Sequence, residues 1–360
     1  MRHVIRAAAT AAVGLVALAG SLSAQAEIRV TGAGATFPYP IYSKWMLEYT
    51  VVRPHIQINY QSIGSGGGIR QFTDRTVDFG ATDGPMTDSQ IAVVHGNVMH
   101  LPTVLGAVVP TYNIPGVNAK LRFTGEVLAG IFLGQITKWN DSRIAAINPD
   151  VQLPDQDIVV AHRSDGSGTT YIWTDYLSKV SPDWAQRVGK GTSVNWPVGL
   201  GGQGNPGVAN TVKQTPGSIG YVELIYALQN KIGYGAVRNS AGNYIDASLE
   251  STTAAATAAV SALDENTDFR VSITDPAGAQ AYPIASFTWL LVPKQISDPV
   301  KGRALVEFVW WATHEGQKYC NALGYATLPD RVVQLEEQRL KSITVNGTAV
   351  LPAGYGRRGR

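Results

Sequence analysis

The sequence predicts an α/β protein of two lobes joined by two crossing strands, with a hinged cleft between the lobes. Three observations predict it. From Glu27 onward, short β-rich runs alternate with helical ones, an order that builds a parallel sheet covered by helices. Two apolar runs, Leu105 to Asn113 and Ser286 to Val292 (SFTWLLV), are suited to carry the chain into a second lobe and back. Three glycine-bearing stretches, GAGATF at 32–37, GSGGG at 64–68 and RSDGSGTT at 163–170, each set hydroxyl residues just before a segment that reads as helix.

Taken in order, residues 1–26 read as an export signal. Arg2 and Arg6 precede an apolar run from Ala7 to Gly20, and Ala24-Gln25-Ala26 is an A-x-A cleavage site. The run is too short to span a bilayer comfortably. Glu27 to Thr31 reads as a strand. Tyr39 to Thr50 reads as a helix with Trp45, Met46 and Tyr49 on its apolar side, and Pro38 and Pro40 suit its entrance. His55 to Tyr60 alternates at period two, as a strand does. Gly66 to Arg75 is expected as helix and Val77 to Ala81 as strand. In the second lobe, 124–133 and 169–179 look helical, Asp157 to Val160 is a strand running into the arginine loop, and 196–206 is a glycine-heavy loop. Val222 to Gln229 and 252–263 are expected as helices. Back in the first lobe, Lys301 to Leu323 is expected as one helix carrying Trp310 and Trp311. The expected division is 27–104 and 284–340 for the first lobe, 105–283 for the second, and 341–360 for a frayed glycine-rich tail ending Arg357-Arg358-Gly359-Arg360.

At 360 residues, 44% hydrophobic and 16% charged, the composition is globular and the chain can bury a sizeable core. Without Arg2 and Arg6 the 29 basic residues fall to 27, equal to the 27 acidic ones. A balanced chain has no global field to draw in nucleic acid, so any anion site must be local. Cys320 is the single cysteine, which excludes an intrachain disulfide. No later run is long and apolar enough for a membrane span, so the mature chain is expected to be soluble and exported.

Most catalytic signatures are missing. No P-loop spacing occurs, Phe37 stands where a dinucleotide fingerprint needs its third glycine, and there is no G-x-S-x-G elbow. The six histidines show no metal spacing, and His95 and His100 read as surface or loop residues. No metal, cofactor or catalytic residue is therefore expected. Glu336-Glu337-Gln338-Arg339 reads as a solvated helix face.

The remaining pattern is an oxyanion constellation. A helix start offers unpaired N–H groups and the positive end of the helix dipole. Thr36 and Phe37 would provide a hydroxyl and an N–H at the first entrance, Ser65 the same at the second, and Ser167, Gly168 and Thr169 hydroxyls and N–H groups at the third. Arg163 adds a charged fork that fits two oxygens of a tetrahedral anion, with Asp165 to hold it. Each loop by itself reads most simply as an N-cap, Gly66-Gly67-Gly68 alone also as a flexible turn, and Arg163–Asp165 as a surface ion pair. Asp83, in Thr82-Asp83-Gly84-Pro85, is either a turn residue or an acceptor for a proton carried by the anion. The second role would favour phosphate over sulfate, since a site built around a ligand hydroxyl rejects an analogue lacking it by ~10⁴–10⁵-fold. An exported phosphatase or phosphotransferase with Ser65 or Ser167 as nucleophile, and a binder of a different oxyanion, stay open as alternatives.

The stretches TGAGATFPYPIYSKW, INYQSIGSGGGIRQF, VDFGATDGPM, RSDGSGTTYIWTDYL, WPVGLGGQGNPGVA and PGSIGYVE, with LGQITKWND and YATLPD, resemble in order the periplasmic phosphate-binding proteins of the ABC phosphate transporter (the Pst system). The resemblance runs over nearly all of the mature chain. It implies a type II-like periplasmic binding protein, with a discontinuous first lobe, that captures inorganic phosphate and passes it to an inner-membrane permease complex. It also implies a periplasmic monomer that performs no catalysis. Carried over by motif, Ala35, Thr36 and Phe37 match the first phosphate loop, Ser65 the second, and Asp83 the carboxylate accepting the phosphate proton. Arg163, Ser167, Gly168 and Thr169 match the second-lobe contacts, and Asp165 the arginine's partner. His162 stands where the family often has another basic residue, and Thr82 and Gly84 where serine and alanine are common.

Overall fold

The computed structural model describes residues 27–352 and 354–356, so the expected export signal and the last four residues lie outside it. The first lobe begins with strand β1 (Ile28–Gly34), helix α1 (Tyr39–Val52), β2 (Ile56–Ser62), α2 (Ser65–Thr73) and β3 (Phe79–Thr82). Strand β4 (Met99–Asn113) is 15 residues long, and all of it except its two ends is buried. The second lobe adds β5 (Val159–Arg163), α3 (Gly168–Val180), β6 (Leu200–Gly202), α4 (Gly204–Gln214), β7 (Ser218–Glu223) and α5 (Leu224–Asn230). Strand β8 (Ala285–Val292), α6 (Pro299–Thr313) and α7 (Asp330–Lys341) return to the first lobe.

One curled sheet serves both lobes, in the order β2-β1-β3-β8-β4-β7-β5-β6, with the short strand Gly233–Tyr234 also on β4. Pairing is parallel for β1–β2, β1–β3, β5–β7 and β5–β6, and antiparallel wherever β4 or β8 takes part. The expected parallel sheet is thus confined to the outer strands, because the two crossing strands run against their neighbours. Strand β4 pairs β8 from Met99 to Ala107 and β7 from Val108 to Asn113. The strands β1 and β3 run along β4, and β5 and β7 run against it. Both sets therefore point their carboxyl ends toward the place where β4 changes partners, and the strand-to-helix loops of both lobes meet there. In open α/β sheets such ends are where ligands bind.

Aromatic side chains fill the core on both sides. Tyr49 is buried against α6, Trp45 is buried with its indole N–H on Gly316 O, and Trp139, Trp173 and Trp184 are buried in the second lobe. Cys320 is buried too, its thiol pushed up to about 12 by burial.

Several expectations are corrected. The helix expected at 222–229 is present from Leu224, but Val222 and Glu223 are the end of β7, since periodicity alone cannot divide a buried run. The loop expected at 196–206 holds β6 and the start of α4. The helix from Lys301 stops at Thr313 and continues as two 3₁₀ turns, Glu315–Tyr319 and Asn321–Leu323. The tail is ordered well past Ser342: Thr344–Val345 and Thr348–Ala349 form a small sheet with Gln295–Ile296, and Tyr355 packs edge-on to Trp310 at 5.2 Å. His100 is not a surface residue; it is buried, and its Nε2 accepts the Met86 N–H at 3.1 Å. Burial lowers its pKa to about 4. Glu336 is not solvated either. It lies in the core with neither carboxyl oxygen hydrogen-bonded among the described residues, and burial raises its pKa well above the carboxylate range.

Candidate functional site

The first-lobe wall is built from three strand ends. After β1 the chain turns into α1, and Thr36 and Phe37 sit in that turn, both buried. Neither of their N–H groups is engaged among the described residues. Ala35 differs: its N–H goes to Ala81 O at 3.0 Å and its carbonyl accepts the Tyr60 hydroxyl at 2.7 Å. With both backbone groups used, Ala35 holds the loop in place and has no donor left for a ligand. After β2, Gly64 adopts φ +89, and a Cβ there would lie 2.2 Å from Asp165 Oδ2. That close approach across the lobes requires glycine. Ser65 then opens α2, its hydroxyl accepting the Asp83 N–H at 3.2 Å and the Gly168 N–H at 3.0 Å.

Asp83 follows β3 and is 1% exposed. Its Oδ1 accepts the Thr288 hydroxyl at 2.7 Å, and Ser65 Oγ lies 3.4 Å from its Oδ2. The β8–β4 register shifts next to this contact, between Thr288 and Trp289, where Thr103 of β4 is the extra residue.

The second-lobe wall centres on Arg163, the last residue of β5, whose side chain is 1% exposed. Its Nε donates to Asp165 Oδ1 at 2.7 Å and its Nη2 to Oδ2 at 2.5 Å, a bidentate pair. Its Nη1 donates to Thr169 Oγ1 at 3.2 Å. Three of the guanidinium's five N–H groups are thus placed, and one remains on each Nη. Asp165 Oδ1 also accepts the Gly204 N–H at 2.9 Å. Ser167 caps α3 by accepting the Thr170 N–H at 3.0 Å. A Cβ on Gly168 would lie 2.5 Å from Asp83 Cβ, so the two lobes touch at this point.

All ten expected residues therefore fall at one junction, with Ala35 in a supporting place. The lobes are held together there by Gly168 N to Ser65 Oγ at 3.0 Å and Gly66 N to Gly166 O at 2.8 Å.

Three contributors were not anticipated. Asn205, the second residue of α4, is fully buried and bonds Thr36 and Thr169 at once. Thr288 holds Asp83, and the Tyr221 hydroxyl accepts the Arg163 N–H at 3.1 Å. Asn205 lay inside a motif already notable for its glycines, and an asparagine before Pro206 at a helix start was the available signal.

The two carboxylates differ electrostatically. Burial pushes Asp83 up to about 7, against hydrogen bonds from Thr288 and Ser65 and the attraction of Arg163. Burial also pushes Asp165 upward, but the Arg163 guanidinium outweighs it and holds Asp165 below its ordinary value. The arrangement is a ring of N–H and O–H donors, one internally balanced ion pair, and one acceptor carboxyl without a cation of its own. It fits a small oxyanion that brings a proton. No group of three His, Cys, Asp or Glu residues able to hold a metal occurs among the described residues.

Comparison with known proteins places the chain among relatives. A family model described as a PBP superfamily domain matches residues 19–315. The phosphate-binding protein PstS of Xylella fastidiosa is 47% identical over 309 residues, covering 86% of this chain and 84% of that protein. PstS of Pasteurella multocida is 43% identical over 323 residues, covering 89% and 92%. Among solved structures, a phosphate-binding protein from Stenotrophomonas maltophilia superposes with a TM-score of 0.66 at 20% identity, covering 92% of this chain and 99% of that one. A high-affinity periplasmic phosphate-binding protein (PfluDING) bound with phosphate gives 0.67 at 19% identity, covering 86% and 92%.

Proposed function

The chain belongs to the PstS-type phosphate-binding proteins of the PBP superfamily, and on that premise we propose that it binds inorganic phosphate in the periplasm and delivers it to the permease of an ABC importer. The binding lobes in this reading are 27–104 with 284–340, and 105–283, and the protein acts as a monomer without catalysis. The single observation that carries the reading is the buried Asp83 carboxyl set opposite the donor ring.

Phosphate would lie between the lobes. The free N–H groups of Thr36 and Phe37, the start of α2 at Ser65, and the hydroxyls of Ser167 and Thr169 at the start of α3 supply neutral donors, while the Ser167 and Gly168 N–H groups are already given to Thr192 O at 2.7 Å and Ser65 Oγ at 3.0 Å. The two remaining guanidinium N–H groups of Arg163 face the same anion. Because Asp165 already balances Arg163, the ligand's charge is met mainly by dipoles, which suits an anion that must be released again. Asp83 accepts the proton of hydrogen phosphate. Sulfate, with no proton, would set its oxygen against the carboxylate without a hydrogen between them.

This also fixes the pH behaviour. Below about 7 an empty Asp83 carries its own proton and becomes a donor, so sulfate meets less opposition. Calorimetry with phosphate and with sulfate at pH 5.5 and 8 tests the reading. Phosphate should be preferred at both, and by a wider margin at pH 8. Equal affinity for the two anions at pH 8 would remove Asp83 from the role. Neither Ser65 nor Ser167 has a histidine as hydrogen-bond partner among the described residues, so no observation favours a serine nucleophile.

A further inference from the structure

The direction of each hydrogen bond around Asn205 follows from groups that can only donate. The Glu223 backbone N–H donates to Asn205 Oδ1 at 2.9 Å. That bond fixes which way the amide faces, because an N–H cannot bond an NH₂ group. Asn205 Nδ2 must then point to the two threonines, at 2.9 Å from Thr36 Oγ1 and 3.0 Å from Thr169 Oγ1. Thr36 Oγ1 receives a second bond from the Asn205 N–H at 3.1 Å. Thr169 Oγ1 receives its second from Arg163 Nη1 at 3.2 Å.

A hydroxyl accepts two hydrogen bonds and donates one. Both threonine oxygens already accept two, from donor-only partners. Neither hydroxyl donates to a protein acceptor among the described residues. Thr174, one turn further along α3, behaves in the ordinary way and gives its proton to the Thr170 carbonyl at 2.8 Å. An unconstrained hydroxyl can rotate to serve as donor or acceptor, so it does not by itself tell an anion from a neutral or hydrogen-rich ligand.

We infer that Asn205 is a positioning residue that turns the hydroxyls of Thr36 and Thr169, one from each lobe, into obligate hydrogen-bond donors toward the bound anion. The inference rests on the phosphate reading of the same site. Asn205 acts through the threonines and touches no ligand. Its position explains the requirement for an amide: aspartate in its place would need protons from both hydroxyls, and leucine would leave both free to rotate. It also ties closure to polarity, because the bonds to Thr36 cross between lobes and the committed state exists only when the cleft is shut.

A double-mutant cycle tests this, with phosphate affinity read by calorimetry on the full mature protein. Asn205→Ala should weaken phosphate about 10- to 100-fold, the effect of losing oriented charge-assisted hydrogen bonds. In a Thr36→Val, Thr169→Val background the same change should weaken binding less than about threefold, because the hydroxyls through which it acts are gone. Asn205→Ser, a smaller disturbance of the helix start, should give an intermediate loss and covers the case in which the alanine variant does not fold. Unchanged affinity in the single variants, or an equal loss with and without the threonine hydroxyls, would overturn the inference. Wild-type protein that binds another oxyanion and not phosphate would overturn the ligand reading instead, and the cycle run with that anion would then decide the role of Asn205.

Discussion

The two walls of the cleft solve the same problem in opposite ways. On the second-lobe wall a full positive charge, Arg163, is buried and balanced on the spot by Asp165 through two short bonds. On the first-lobe wall a carboxyl, Asp83, is buried with hydroxyl partners only. Burial raises both carboxyls, but Arg163 overrides it at Asp165 and holds that group below its ordinary value, whereas the more deeply buried Asp83 is lifted to about 7. In the proposed reading, the contrast assigns attraction and discrimination to different lobes. One wall offers a tethered cation and dipoles that any oxyanion would accept, and the other holds the one group that asks for a proton.

Making the first wall like a neutral donor surface breaks the contrast most severely. Asp83→Asn should collapse phosphate-over-sulfate selectivity, by up to roughly 10⁴-fold, since the amide can donate to an unprotonated oxygen. Paired titrations with the two anions measure it. Removing the cation from the second wall comes next. Arg163→Met leaves Asp165 buried without its partner, a loss of about 3–5 kcal/mol. It should appear both as a lowered melting temperature of the ligand-free protein and as phosphate affinity reduced about 10²- to 10³-fold.

The third expectation concerns pH in the absence of ligand. Asp83 is raised from 3.8 to about 7 in the folded protein, so between those values the folded state holds a proton that the unfolded chain releases. Asp83 therefore makes stability fall as pH rises from about 4 to about 7, by a few kcal/mol in all, and adds no slope above that. Wild-type melting temperatures compared with those of Asp83→Asn across this range isolate the effect, because the variant should lack that part of the slope. The smallest effect sharpens the contact between the walls. Gly168→Ala would drive a methyl into Asp83, with Cβ 2.6 Å from both its backbone N and Oδ2. Such overpacking costs about 1–3 kcal/mol. Because the clash is between lobes, it should fall on phosphate affinity and leave the ligand-free melting temperature nearly unchanged.

What was legible in the sequence was local. Thr36, Ser65, Ser167 and Thr169 stand at strand-to-helix turns, a signal contained within a few residues, and Arg163 and Asp165 are two apart. The long apolar strand and the returning SFTWLLV strand were legible because continuous burial needs continuous apolar residues. What was hidden depends on distance along the chain. Asn205 gains its place from Thr36, 169 residues away, and Thr288 from Asp83, 205 residues away. A polar residue's partner across such a span leaves no periodic trace. The register shift beside Thr288 was equally silent, whereas the burial of Glu336 had a trace, since Val332 and Leu340 stand four residues to either side of it on the same buried helix face.

Strand β4 has a mechanical meaning. At Ala107 and Val108 it leaves one partner strand for another, and beside that point the Val108 N–H bonds the carbonyl of Ile284, where the returning crossing begins. The lobes are therefore joined by adjoining, hydrogen-bonded backbone and not by slack tethers. In the proposed cycle of capture and release, separating them would bend a continuous sheet, whose hydrogen bonds would bring the two walls back into the same alignment.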